Sequence, residues 1–208
     1  MSLDTLKRDV QARLDLKVDG KDGILTWTAI HEKICGKDTG RTPSGKTASE
    51  IIAAAVVDPR SEKNIATLHP RVQPYARNLV LKAAAAGITI KVISGLRTYA
   101  EQTALYAKGR TAPGSKVTNA AAGYSNHNFG LAFDIGVFEG VKYLEDSPKY
   151  KAIAPMGIDL GLEWGGNWKT IQDQPHYQLR PAWAQGMPES TMLTELRRRK
   201  ADGRDFFA

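Results

Sequence analysis

Ser125-Asn126-His127-Asn128-Phe129-Gly130-Leu131-Ala132-Phe133-Asp134, answered further on by Asp173-Gln174-Pro175-His176, is the stretch from which the chain is best read. From Leu131 to Val137 the sequence predicts a strand, in which side chains alternate between faces. Leu131, Phe133 and Ile135 then point into a core, while Ala132, Asp134 and Gly136 share the other face. Two very small neighbours leave clearance beside the Asp134 carboxylate for a metal and a substrate, and aspartate is otherwise disfavoured in strands. His127 precedes this strand in a loop, where Gly130 lets the chain turn back closely. Pro175 to Leu179 predicts a second strand, with His176 and Gln178 on one face and Tyr177 and Leu179 on the other. If the two strands are neighbours, His127, Asp134 and His176 converge. Two imidazoles and one carboxylate with a fourth position open form the ligand set of a catalytic zinc site. The same donors can hold iron or manganese. Asp173, three positions before His176, is placed to act on a metal-bound water. The chain has 4 histidines; His31 and His69 lie in other settings and read as surface or capping residues.

Hydrophobic content of 42% and charged content of 25% describe a soluble globular chain. Its 208 residues suffice for one ordinary domain and something small beside it. No apolar run approaches the roughly 20 residues that span a bilayer. Met1-Ser2-Leu3-Asp4 lacks a basic region followed by an apolar core. The expectation is synthesis in the cytoplasm without a signal peptide, so that a substrate outside is reached only after release by another protein. Cys35, the only cysteine, excludes an intrachain disulfide and reads as a small apolar residue. A net charge of +7 and a pI near 9.5 favour polyanionic surfaces: nucleic acid, anionic lipid or acidic wall polymer. There is no nucleic-acid motif and no basic stripe interleaved with aromatics, so nucleic acid is not an expected partner.

Leu3, Leu6, Val10 and Leu14 recur at helical spacing. A turn through Asp19-Gly20-Lys21-Asp22-Gly23 follows, then a second helix capped by Thr26 and ended by Gly36. One reading is a helical hairpin that packs on the main domain. The other is that Val10-Gln11-Ala12-Arg13-Leu14, Lys17-Val18-Asp19-Gly20, Gly23 and Thr26-Trp27 resemble the repeat core of the small helical peptidoglycan-binding domain family, over less than a complete module. The expected organisation is a small helical module at 1–36, a Gly/Ser/Thr/Pro-rich linker at 37–58, a catalytic domain at 59–190, and a basic helix with a frayed tail at 191–208. Residues 50–57 are ambiguous between helix and strand. Within the catalytic domain Val72, Tyr75, Leu79 and Ala83 mark an amphipathic helix ending at Gly87, with Pro74 tolerable only in its first turn. Ile88 to Ile93 is a strand by β-branching and alternation. Thr98 and Glu101 form a capping box for a helix that stops at Gly109. The fold class is α+β, a small antiparallel sheet flanked by helices and carrying the zinc site. Met192 to Lys200 is a basic helix, read either as a solvated face or as a weak contact for anionic membrane or lipopolysaccharide.

With the residues in this order, Ser125-x-His127-x-x-Gly130-x-Ala132-x-Asp134 with Asp173-x-Pro175-His176 resembles the zinc peptidases of the D-alanyl-D-alanine carboxypeptidase and L-alanyl-D-glutamate endopeptidase family, most closely its phage-endolysin branch. The similarity extends through Ser61-Glu62-Lys63-Asn64, Ile93-Ser94-Gly95-Leu96-Arg97-Thr98, Glu101-Gln102, Leu105-Tyr106, and Gly161 to Lys169. The resemblance implies His127, Asp134 and His176 as zinc ligands and Asp173 as acid/base, with Glu163 as its competitor. It implies that Arg97 stabilises the oxyanion, against the alternative of a surface arginine paired with Glu101. It implies substrate contacts from Ser125 and Gln102. Trp164 and Trp168 either wall the groove or pack in the core. The implied substrate is the stem peptide of peptidoglycan, cut by a monomeric enzyme acting on the cell wall. Cleavage of the L-alanyl-D-glutamate bond is expected, with removal of a terminal D-Ala as the alternative. A non-catalytic wall-binding or virion structural protein with a relic site is the alternative of another class.

Overall fold

The computed structural model describes residues 57–208, together with Thr5 and Arg8, both helical and exposed. The chain divides into two compact units, 1–56 and 57–208, and the second is described below. The helical module expected at 1–36, most of the linker, Cys35 and His31 lie outside the described residues.

Helix α1, Pro59–Ile65, begins at Asp58, whose carboxylate accepts from the Ser61 amide at 3.2 Å and from the Ser61 hydroxyl at 2.5 Å. Buried Ser61 in turn accepts from the Val92 amide at 2.9 Å, and the Asn64 side chain donates to the Val92 carbonyl at 2.8 Å. The Ser-x-x-Asn spacing thus fastens α1 to the first strand. Helix α2, Gln73–Ala85, carries Pro74 in its first turn and buries Ala76, Leu79, Val80 and Ala83. The Arg77 guanidinium grips Glu62 through two bonds of 2.8 Å, joining α2 to α1.

Strand β1 is Ile90–Ser94. Helix α3, Tyr99–Ala107, has the expected capping box, with the Thr98 hydroxyl accepting from the Glu101 amide and the Glu101 carboxylate accepting from the Thr98 amide. Strand β2, Ala132–Glu139, turns at Gly140 into β3, Lys142–Leu144. Helix α4, Lys149–Asp159, leads to the short β4, Glu163–Trp164. After β5, His176–Gln178, the described chain closes with α5, Glu189–Ala201. The sheet order is β1-β2-β5-β4, with β3 also on β2, and every pairing is antiparallel. The α+β class with a small antiparallel sheet is as the sequence predicts.

Phe133, Ile135, Val137 and Tyr177 are fully buried with Tyr150 and Ile153 of α4, and the Phe133 and Tyr177 rings stack at 5.9 Å. Each such side chain contributes about 1.5–3 kcal/mol by leaving water. The Tyr150 hydroxyl fixes α4 to the sheet, donating to the Leu144 carbonyl at 3.1 Å and accepting from the Val137 amide at 3.2 Å.

Two expectations need correction. The clearance beside Gly136 is filled: a Cβ there would lie 2.8 Å from the Tyr143 ring and 3.0 Å from Phe138, because the β2–β3 hairpin folds aromatic rings over the strand. The C-terminal segment is not frayed. Helix α5 starts at Glu189 and buries Met192, Leu193 and Leu196. Beyond it, Phe206 and Phe207 pack back on the core, Trp183 donates to the Phe206 carbonyl at 2.8 Å, and His69 meets the Phe207 ring at 4.8 Å. No helix among the described residues is long and apolar enough to cross a membrane.

Candidate metal centre

The pairing of β2 with β5 sets Asp134 opposite His176 and Ala132 opposite Gln178, so a carboxylate and an imidazole meet on one face. On the other side of β2, the β1 register shifts between Val92 and Ser94, and the chain leaves the sheet there through Gly95 toward Arg97. His127 comes from a 3-10 turn, Asn126–Phe129, that ends at Gly130 with φ +66°. A Cβ on Gly130 would strike the His69 amide at 2.8 Å, so both conformation and space require glycine.

His127 Nε2 lies 3.3 Å from Asp134 Oδ1, and His176 Nδ1 lies 3.2 Å from the same oxygen. The three donor atoms fall within 4.8 Å of one another. His127 Nδ1 sits 2.8 Å from the Gly95 carbonyl, which only accepts; that nitrogen therefore carries the proton and Nε2 keeps its lone pair for a ligand. His176 is turned the other way: Nε2 faces Gln178 Oε1 at 3.0 Å, and Nδ1 faces Asp134 and the centre of the triad. The donor set, the buried imidazoles and the paired outer nitrogens all suit a divalent metal ion, and these residues can hold one. Burial pushes the Asp134 carboxyl up, but the two imidazoles against it reverse this and hold it well below the usual carboxylate range. Burial pulls His176 down, and the Asp134 carboxylate more than offsets it, leaving the imidazole raised.

The triad opens into a cleft of about 890 Å³. Asp173 lines it, half-buried, next to His176 through a turn in which the His176 amide donates to the Asp173 carbonyl at 3.2 Å. Burial, and then the Asp134 charge, raise the Asp173 carboxyl. Glu163, its competitor, is occupied: it accepts from Arg180 Nε at 2.5 Å and from Gln178 Nε2 at 2.6 Å.

Arg97 also lines the cleft, and its backbone is tied to the His127 turn at both ends. Its amide donates to the His127 carbonyl at 3.0 Å, and its carbonyl accepts from the Asn128 side chain at 2.8 Å. Its guanidinium donates to Gln102 Oε1 at 3.0 Å and stands 3.7 Å from Asp134. Pairing with Glu101 is not seen, since that carboxylate is engaged by Thr98.

The remaining expected contacts divide. Ser125 and Trp168 line the cleft, the Trp168 ring lying 4.8 Å from that of His176. Gln102 does not line the cleft: it is fully buried, donating to the Ala120 carbonyl at 2.6 Å and bracing Arg97. Trp164 is a core residue, its indole donating to the Gln174 carbonyl at 2.8 Å. Gln178 and Asn128 were not among the expected site residues. For Gln178 the signal was present, because a strand places it on the same face as His176.

A family model described as VanY, D-alanyl-D-alanine carboxypeptidase, matches residues 65–157, a span that includes His127 and Asp134. The peptidoglycan L-alanyl-D-glutamate endopeptidase CwlK of Bacillus subtilis (strain 168) is 35% identical over 126 residues, covering 55% of this chain and 74% of that protein. Among solved structures, the L-Ala D-Glu endopeptidase ChiX of Serratia marcescens matches with 27% identity and a TM-score of 0.46, over 59% of this chain and 87% of that one. The vancomycin-resistance D,D-pentapeptidase VanY in complex with Zn(II) matches with 22% identity and a TM-score of 0.43, over 62% of this chain and 83% of that one.

Proposed function

The chain belongs to the VanY D-alanyl-D-alanine carboxypeptidase family, and on that premise we propose that it is a zinc-dependent peptidase that hydrolyses the L-alanyl-D-glutamate bond of the peptidoglycan stem peptide. The observation that carries the choice of bond is the 35% identity to CwlK across 74% of that endopeptidase. Zinc held by His127, Asp134 and His176 would polarise the scissile carbonyl and bring the pKa of a water toward neutrality.

The rest of the work falls to this chain's own side chains. Asp173 takes the proton of the attacking water on its carboxylate and returns it to the leaving amine. Its raised affinity for protons suits both halves of that exchange. Arg97 faces the oxygen on which negative charge develops; held at its backbone by His127 and Asn128 and at its guanidinium by Gln102, it needs little reorganisation as the charge appears. Trp168 walls the cleft beside His176, and Ser125 offers a hydroxyl to the bound peptide.

In this reading the enzyme acts on the cell wall as a monomer. Its net charge of +7 and the resemblance at residues 10–27 support retention on an anionic wall. Removal of a terminal D-Ala is the second reading, favoured by the description of the matching family model.

Mass spectrometry of purified peptidoglycan digested with and without a chelator separates the two. The expected result is fragments with a new N-terminal D-Glu that disappear on chelation. Loss of terminal D-Ala alone would establish the carboxypeptidase. Intact peptidoglycan in the presence of zinc-loaded protein would overturn both.

A further inference from the structure

Among the described residues, Arg97, Lys116, Lys169 and Arg180 bring positive charge to the cleft. The two arginines are committed. Arg180 is held by Glu163 at 2.5 Å and by Glu189 at 2.6 Å, and their carboxylates neutralise it. Arg97 is braced by Gln102 at 3.0 Å and faces Asp134 at 3.7 Å. Lys116 and Lys169 are exposed, and their ammonium groups make no hydrogen bond or ion pair among the described residues. Water satisfies an exposed ammonium, so exposure alone assigns neither of them a ligand. What separates them is the wall on which each is mounted.

Lys116 stands on the side of Arg97. Gln102 joins the Arg97 guanidinium to the Ala120 carbonyl, at 3.0 Å and 2.6 Å, and so ties the segment after Lys116 to that wall. Lys169 stands on the side of the acid. The Gly165 carbonyl accepts from the Trp168 amide at 3.2 Å and from the Asp173 amide at 3.1 Å, closing residues 168–173 into one turn. Lys169 follows Trp168, whose ring lies 4.8 Å from that of His176, and the same turn ends in Asp173.

The substrate supplies the complementary charge. Glutamate has two carboxyl groups; one forms the next amide of the peptide, and the other stays ionised at neutral pH. That free carboxylate belongs to the residue whose amine leaves. Asp173 returns a proton to this amine, which sets the leaving residue against the wall that bears Asp173. We propose that Lys169 is a specificity-determining residue that binds the free carboxylate of the leaving glutamate. A compact charge on a flexible four-carbon stem meets a carboxylate a few bonds from the amine without demanding one fixed geometry. This inference rests on the reading of the chain as an L-alanyl-D-glutamate endopeptidase with Asp173 as its acid.

The test crosses two substrates with the protein and its variants. One substrate is a defined stem peptide with the glutamate carboxylate free; the other carries a primary amide there. Both are measured as kcat/KM on zinc-loaded, full-length protein. Wild type should cleave the acid about 10-fold better than the amide, the difference lying mainly in KM. In Lys169→Met the acid should fall to the level of the amide. Lys169→Glu should prefer the amide, and Lys169→Arg, which keeps the charge, should keep most of the preference for the acid. Lys116→Met should keep it in full. A preference that survives Lys169→Met would overturn the assignment while leaving the endopeptidase standing. So would wild type that cleaves acid and amide alike, or a preference lost in Lys116→Met instead. Cleavage of neither peptide by zinc-loaded wild type would overturn the endopeptidase and the assignment together.

Discussion

Asp173 differs from the other acids of the cleft in having nothing to do in the resting structure. Glu163 and Glu189 are bound by Arg180, and Asp134 is flanked by two imidazoles. The Asp173 carboxylate makes no hydrogen bond or ion pair among the described residues, and burial raises its pKa. A general base needs that freedom, because any fixed donor would compete with the water it must deprotonate. Asp173→Ala should keep stoichiometric zinc and lose about 10²–10⁴-fold in kcat; metal analysis beside turnover checks both halves, and undiminished turnover would remove Asp173 from the role. Arg97→Lys replaces a fork by a single point charge and abandons the Gln102 contact. Its kcat should fall by about 10²-fold with KM little changed, measured on a defined stem peptide. At this scale the sequence was informative about the triad, since histidine is scarce here and each ligand comes with a recognisable backbone setting. It was not informative about Gln102, whose burial depends on the distant Thr118–Ala120 segment that its amide reaches.

Elements whose residues alternate, recur or cap in a recognisable way were legible, and the others were not. Helix α2, the capping box of α3, and strands β1, β2 and β5 lie where alternation and capping residues put them, within two residues at their ends. Strands β3 and β4, of 3 and 2 residues, offer no alternation to read, whereas β5 is equally short but sits in the alternating run Pro175 to Leu179. Helix α4 does bury Tyr150, Ile153, Ala154 and Gly157 at helical spacing, but Pro155 inside it and Gly157 in its last turn argue locally for a break. The turn after β4 matters most to the site. Gly165 accepts from the Asp173 amide at 3.1 Å, and a Cβ on it would stand 2.5 Å from the Asp173 carbonyl and 3.0 Å from His176 Cβ. Gly165→Ala must therefore push the segment that bears the base and the last ligand. A displacement near 1 Å is enough to lower kcat by about 10²-fold. Steady-state kinetics on zinc-saturated protein would show the fall; wild-type kcat would mean that the turn yields elsewhere.

On the scale of the whole catalytic unit, the C-terminal segment is a structural buttress. Its basic residues face inward as often as outward: Arg197 donates to the Gly123 carbonyl at 3.0 Å, and Lys200 donates to the Asn128 carbonyl at 2.9 Å while lying over the Tyr99 ring. Arg199 pairs with Glu195 and covers Trp183. Charge composition announces a basic helix, but only the tertiary fold decides that much of this charge is spent on backbone carbonyls and aromatic faces. Deleting residues 203–208 removes Phe206 and Phe207 from the core, each partly buried. The expected cost is about 2–4 kcal/mol, or a fall in Tm of roughly 5–15 °C for a unit of this size. An unchanged melting curve would show that the tail contributes nothing. The same buttress orders events in time. Helix α5 is synthesised after His127, Asp134 and His176, yet Glu189 accepts from Asn126 and Arg180 beside the cleft and Lys200 steadies the turn that bears His127. A ribosome stalled before residue 189 has already translated all three ligands but not the frame that aims them.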